Sequence, residues 1–239
     1  MNDYEVKVYQ DILEWKRQML KRSGWINRTS KKIQTKVNQL IPEKAHVVIT
    51  NAIKAMVQTT LTGSNLTTKK NLSRGLSLAE RDQKVVEKIA AYRKTAMLEG
   101  AGTGAGGLLL GLADFPLLLS IKIKFLFTTA SIYGFDTSVY EERIFILQIF
   151  KLAFSSDQTR DETMTIIENW EELKKDYMDM NWREFQQEYR DYIDFAKMLQ
   201  LVPGIGAVVG AYANYNLLGH LGETAMNCYR LRLLTTCPM

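Results

Sequence analysis

The residue types that most often carry catalysis are scarce in these 239 residues. There are two cysteines, Cys228 and Cys237, with neither a C-x-x-C pair nor a metal-ligand spacing. They read as reduced thiols of a cytoplasmic protein, not as a disulfide framework or a metal site. There are two histidines, His46 and His220. No H-E-x-x-H, G-x-S-x-G or G-x-x-x-x-G-K-[ST] occurs, so no metal and no cofactor is expected. Four prolines and the lack of any low-complexity tract argue against disorder except at the ends. Strand signals are nearly missing: the one short β-branched run, "HVVIT" at 46–50, sits inside a helical pattern. The opening "MNDYEVKVYQDILEWKRQML" is charged throughout and has no apolar export segment, which makes the cytoplasm the expected compartment.

One stretch also lacks acid. Residues 15–42 hold eight bases and no carboxylate, and residues 15–79 hold thirteen Lys and Arg against the single acid Glu43, a net +12. Residues 155–194 reverse the sign, with five bases against twelve acids, a net −7. The whole chain's +5 conceals this asymmetry. It suggests that one end of the folded molecule faces an anionic partner, or that the two regions attract each other. Trp15, Lys16, Arg17, Lys21, Arg22, Trp25, Arg28, Lys31 and Lys32 are the candidate contact residues. Bases interleaved with tryptophan suit an amphipathic helix on anionic lipid, where each base adds about 1 kcal/mol. Phosphate contacts to nucleic acid use the same residue types, but no recognition motif accompanies them, so no nucleic acid is expected. A solvated basic face is the third reading.

Helical periodicity covers what remains. Residues 3–22 place Val6, Tyr9, Ile12, Leu13 and Met19 at helical spacing, and further helices end before Pro42 and cover 43–61. Ser77-x-x-Glu80 is a capping box opening a helix to about Glu99, with Val85, Val86, Ile89, Ala90 and Ala96 on its apolar side. Ser138-x-x-Glu141 has the same form and predicts the start of another helix. A long amphipathic stretch follows over 159–199, its buried side marked by Trp170, Tyr177, Trp182, Phe185, Tyr189, Tyr192 and Phe195. The expected architecture is an all-α multi-helix bundle. It reads as one domain over 1–239, with basic amphipathic helices over 1–40 and the core over 41–239.

Two uncharged segments stand apart, Gly100–Ile121 (but for Asp114) and Met198–Gly222. In "EGAGTGAGGLLLGLADFP", residues 99–116, Gly102, Gly104 and Gly107 fit G-x-G-x-x-G, but the run follows a helix and not a strand, and no acid sits about twenty residues on. A membrane span needs about 20 apolar residues. Asp114 would cost roughly 2.5–3.5 kcal/mol at mid-bilayer, and Pro116 would break the helix. Close helix packing explains more. Gly107-x-x-x-Gly111 and Gly206-x-x-x-Gly210 are small-residue pairs, Asp114 can cap a helix whose first turn holds Pro116, and Gly134 can end it. The two segments align as a degenerate duplication and predict two glycine-rich apolar hairpins at the core. If they pack together, Asp114 could meet His220 and Glu223, one helical turn apart. Such a trio is either an acid–base group or a satisfied polar cluster with a helix cap.

The glycine-rich entry to Asp114-x-Pro116, "IYGFD" at 132–136, "LVPGIGAVVGAYANY" at 201–215 with Pro203, and "HLGETAMNCYRLR" at 220–232 come in an order that resembles the EcsC family from about residue 40 onward. Asp114, Pro116, Gly206, Gly210, His220 and Arg230 match as motif positions. The family is named for a bacterial operon that also encodes an ATP-binding cassette ATPase and its membrane partner. The resemblance implies a link to the membrane and to ABC transporter subunits; together with the basic region and its tryptophans it gives the leading expectation, a non-enzymatic accessory protein at the inner face of the cell membrane that binds anionic lipid or a transporter subunit. Two other functions stay open: a hydrolase or lipid-modifying enzyme using Asp114, His220 and Glu223, and a lipid-binding helical cavity lined by the apolar segments.

Overall fold

The computed structural model describes residues 1–21, 43–62, 72–103, 115–155, 157–179 and 207–236. Among them the chain is all-α: α1 Asp3–Lys21, α2 Glu43–Thr62, α3 Leu78–Thr103, α4 Phe115–Tyr133, α5 Tyr140–Phe154, α6 Asp157–Glu168, α7 Trp170–Asp179 and α8 Ala207–Thr236.

The centre is α4. An 18-residue window of it averages a hydropathy of 1.5, which makes it the one described helix long and apolar enough to cross a membrane. Seventy-two per cent of it is buried inside this molecule, where α2, α3, α5 and α8 cover it. Its end is set by chemistry the sequence announces. Gly134 has φ +100°; its N–H donates to the Ser131 carbonyl at 3.3 Å, and the Phe135 N–H donates to the Ala130 carbonyl at 3.0 Å. These two bonds are a Schellman ending, which needs a residue tolerant of the left-handed region.

The 30-residue α8 packs most extensively on α3. The two run antiparallel: the Arg93 Nε–H donates to the Tyr215 carbonyl at 3.1 Å near one end, and Arg230 pairs with Asp82 near the other. Between them, glycine sets the approach. A Cβ at Gly222 would lie 2.6 Å from Ile89 Cγ1, and one at Gly219 would lie 3.2 Å from Arg93 Cζ. The small-residue contact is thus made at Gly219 and Gly222. Of the glycines expected to make it, Gly102 lies within α3 and Gly210 within α8, while Gly104, Gly107, Gly111 and Gly206, with Pro203, lie outside the described residues.

Four local expectations are corrected. The core face of α1 is Val8, Ile12, Trp15 and Met19, whereas Val6, Tyr9 and Leu13 are exposed. Both sets repeat at three and four residues, and the body of the protein takes the stripe that includes the largest side chain, Trp15. On α3, Val85 and Ala96 are buried, but Val86 and Ala90 face outward. The Ser77–Glu80 box forms, with the Ser77 N–H donating to Glu80 Oε2 at 2.8 Å and the Glu80 N–H to Ser77 Oγ at 3.4 Å. The Ser138 box does not. The Ser138 hydroxyl donates to Asp136 Oδ1 at 2.6 Å, α5 starts at Tyr140, and Glu141 is free to pair elsewhere. Finally, the amphipathic stretch breaks at Asn169. Its side-chain amide donates to the Thr165 carbonyl at 2.9 Å, closing α6, and its own carbonyl accepts the Glu172 N–H, opening α7. Trp182, Phe185, Tyr189, Tyr192 and Phe195 lie outside the described residues.

Candidate functional site

The last turns of α8 read Tyr229-Arg230-Leu231-Arg232. On a helix Tyr229 and Arg232 share one face, and Arg230 points away from it. This geometry sends the three side chains to two buried carboxylates on different helices.

Asp82, near the start of α3, is 3% exposed. It accepts the Tyr4 hydroxyl at 2.7 Å, the Tyr133 hydroxyl at 2.5 Å and the Arg230 guanidinium at 2.9 and 3.1 Å. Helices α1, α3, α4 and α8 meet at this one side chain. Burial pushes the Tyr4 phenol up to about 12, helped by its bond to Asp82. Burial and the same carboxylate push Tyr133 further. Both phenols therefore stay protonated donors at neutral pH.

Glu142, on α5, is 4% exposed. It accepts the Tyr229 hydroxyl at 2.6 Å and Arg232 Nη1 at 2.6 Å. Arg232 reaches two further carboxylates, Glu171 at 3.2 Å and Glu141 at 3.6 Å, and Lys174 bridges those two at 2.5 and 3.1 Å. Phe135 and Phe145 lie over the guanidinium at 4.2 and 4.6 Å, a cation–π arrangement strengthened by desolvation. Burial pushes the Glu142 carboxyl up to about 7, against the pull of Arg232. Burial also raises the Tyr229 phenol, with Glu142 acting in the same direction.

The two sets touch through their aromatics. Tyr133 stacks on Tyr229 at 5.6 Å and 21°, and Phe135 meets the same ring at 5.2 Å. Every residue of "YGFD" at 133–136 is thereby accounted for: a phenol on Asp82, the left-handed helix ending, a ring on Arg232, and the acceptor for Ser138. Chemically the arrangement is a pair of cross-braces. Asp82 is met by two phenols and a guanidinium and Glu142 by one of each, so the buried oxygens of both acids have hydrogen-bond partners.

Of the predicted site residues, Arg230 is in a brace. Pro116 lies in the first turn of α4, where its carbonyl accepts the Ser120 hydroxyl at 2.9 Å. His220 is half-buried and Glu223 exposed, one turn apart on α8; Asp114 lies outside the described residues. Among the described residues no group of three His, Cys, Asp or Glu could hold a metal. Trp15 is 8% exposed and belongs to the core, Lys16 is ion-paired with Glu168, and Arg17 is exposed beside Glu14. Lys21 ends α1, and Arg22, Trp25, Arg28, Lys31 and Lys32 lie outside the described residues. Sequence reasoning passed over Asp82, Glu142, Tyr4 and Tyr133. The available signal was an acid within an apolar helix, as at Glu142 before "RIFILQIF".

A family model described as the EcsC protein family matches residues 6–234. Protein EcsC of Bacillus subtilis (strain 168) is 54% identical over 225 residues, covering 94% of each chain. The uncharacterized protein YdbA of the same organism is 32% identical over 142 residues, 57% of this chain and 52% of its own. No solved structure matches.

Proposed function

Because the chain belongs to the EcsC protein family, we propose that it is a non-enzymatic accessory protein of an ABC transporter, working at the inner face of the cell membrane. Its basic N-terminal half engages anionic lipid or a transporter subunit. The observation that carries this reading is the net +12 of residues 15–79, which hold a single acid. A stretch of sequence so one-sided attracts anions over a Debye length and adds about 1 kcal/mol per base at an anionic leaflet.

The fold refines which residues serve. Trp15 anchors α1 in the body through Val8, Ile12 and Met19, so it is a structural residue and not a membrane wedge. Engagement then falls to Arg17, Lys21, Arg22, Arg28, Lys31 and Lys32, and the exposed Tyr9 and Leu13 give α1 an outward apolar edge. The accessory reading is supported by the two buried carboxylates, whose oxygens are committed to bracing α8. The transporter connection rests on the family resemblance.

The test is co-sedimentation with phosphatidylglycerol-containing and pure phosphatidylcholine vesicles at low and high salt. The chain should pellet with the anionic vesicles at low salt and be released by high salt. Equal pelleting with both compositions, or none with either, would remove the membrane reading.

A further inference from the structure

The thirteen large apolar side chains exposed among the described residues are unevenly spread, for Met1, Tyr4, Val6, Tyr9 and Leu13 all fall near the start of the chain. At about 100° per residue, Val6, Tyr9 and Leu13 lie within roughly 60° of one another on α1, and about 120° round from the core stripe of Val8, Ile12, Trp15 and Met19. They are 46%, 39% and 49% exposed. Helix α1 therefore carries two apolar stripes, one packed on the body and one turned outward. The helix is pinned at both ends, which holds the outward stripe in place. The Tyr4 hydroxyl donates to Asp82 at 2.7 Å in the first turn. In the last turns Lys16 is ion-paired with Glu168, and Arg160 Nη1 donates to the Met19 carbonyl at 3.1 Å. Charge is sorted round the same helix. Asp3, Asp11 and Glu14 lie on the third side, away from the stripe, and Glu5, on its margin, accepts the Asn2 N–H at 2.9 Å. Arg17 borders the stripe at its C-terminal end. Its pairing with Glu14, at 3.5 Å between two exposed side chains, is worth little, so the guanidinium can exchange that carboxylate for a phosphate.

We propose that this outward face of α1 seats the chain in an anionic membrane: α1 lies flat in the leaflet, with Val6, Tyr9 and Leu13 at the boundary of headgroups and acyl chains and Arg17 among the phosphates. This seat rests on the membrane reading of the proposed function, and adds to its screened attraction an apolar contact that salt does not weaken. An amphipathic helix buries such a face about 5–10 Å into that boundary, and tyrosine, with an apolar ring and a polar tip, suits its wet edge. Lipid fits the face better than a partner helix does. A helix–helix seam needs its repeat of three and four sustained over about three to four heptads. Here the position after Leu13 in that repeat is Lys16, already paired with Glu168. A leaflet needs no such register, and the stripe ends where the acid-free stretch 15–42 begins. Because the body already holds α1 folded, seating carries little ordering cost.

The experiment places the environment-sensitive dye NBD on α1 of the full chain and adds vesicles of phosphatidylglycerol and phosphatidylcholine. Cys237→Ser removes one native thiol, and Cys228 is buried. In that background Leu13→Cys carries the dye on the proposed face, and Asp11→Cys carries it on the far side of the helix. With vesicles, the dye at 13 should brighten, shift to the blue and be quenched by lipids spin-labelled high in the acyl chain, while the dye at 11 stays in water. Vesicle binding with both dyes left in water would overturn the proposal and leave the basic half as the membrane contact. No binding at all would remove both readings. A dye at 13 that is already shielded before vesicles are added, and more so at higher protein concentration, would assign the face to a second copy and overturn the proposal. Val6→Ser, Tyr9→Ser and Leu13→Ser together should weaken partition about ten- to hundredfold, by the same factor at low and high salt. The three positions are exposed, so helix content by circular dichroism should not change. Undiminished partition of this folded variant would overturn the proposal, and should it unfold, the two dyes still decide.

Discussion

Arg232 touches three carboxylates and two phenyl rings, and Glu142 answers it from a site where burial alone would keep the carboxyl neutral. The balance has a sign that can be measured. Burial holds the folded pKa of Glu142 at about 7 against an ordinary 4.5. Between those values the folded chain keeps a proton that the unfolded chain has lost. The stability from this group is therefore complete below the lower value and is lost as pH rises through the upper one. Glu142→Gln, which still accepts the Tyr229 hydroxyl and never ionises, should show a flatter Tm against pH across that window than the parent. Parallel curves would mean that Glu142 is not held protonated. A second residue-scale prediction concerns packing. Gly222→Ala drives a methyl to 2.6 Å from Ile89 Cγ1, on a β-branched side chain with few rotamers to turn to, and should cost about 1–3 kcal/mol in urea unfolding. Gly219→Ala meets the Arg93 guanidinium at a looser 3.2 Å, the far end of a long side chain held on Tyr215, and should cost less.

At the scale of the helix, two serines of identical motif behave differently. Ser77 caps α3 reciprocally with Glu80, whereas Ser138 gives its hydroxyl to Asp136 and α5 begins without a side-chain cap. Ser77→Ala should lower stability by about 1 kcal/mol, and Ser138→Ala by less, as judged by chemical denaturation. Gly134→Ala places a side chain at φ +100° and 3.1 Å from Ser73 Oγ, and should cost about 1–3 kcal/mol. These sites also show how far local pattern reaches. The existence of α1, α2, α3 and α4 was legible because their signals are local: periodicity, the Ser77 box, and glycine after Tyr133. The Ser138 error came from Asp136, a carboxylate two residues away that takes both the Ser138 N–H and its hydroxyl and that the motif does not include. The choice of face on α1 could not be read, because two stripes three and four residues apart compete and the core decides between them. The braces were illegible for another reason. Arg230 and Asp82 are 148 residues apart, and Arg232 and Glu142 are 90 apart, so nothing near either partner announces the other. What the sequence did offer was the oddity of a charged residue within an apolar helix, at Glu142 and at Lys122.

Across the whole molecule, charge and polarity are divided between regions. The buried carboxylates and arginines gather where α3 begins and α8 ends, and lock α8 to α1, α3, α4, α5 and α7. The apolar junction of α4 and α8 lies toward the other end, and it carries the buried amine of Lys122, 3.4 Å from Asn214 Oδ1. The surplus of positive charge in the sequence is concentrated in residues 15–79, and among the described residues the braces use Lys174, Arg230 and Arg232 instead. That separation leaves rigidity to the interior and, in the proposed function, engagement to the basic half. The most direct test measures partition onto phosphatidylglycerol vesicles across a salt series, for the parent chain and for one carrying Lys21→Gln, Arg22→Gln, Arg28→Gln, Lys31→Gln and Lys32→Gln. At about 1 kcal/mol per base near an anionic surface, the substituted chain, which keeps a net +7 over residues 15–79, should partition far more weakly onto the anionic vesicles, and its salt dependence should flatten. Undiminished affinity with the same salt dependence would contradict the account.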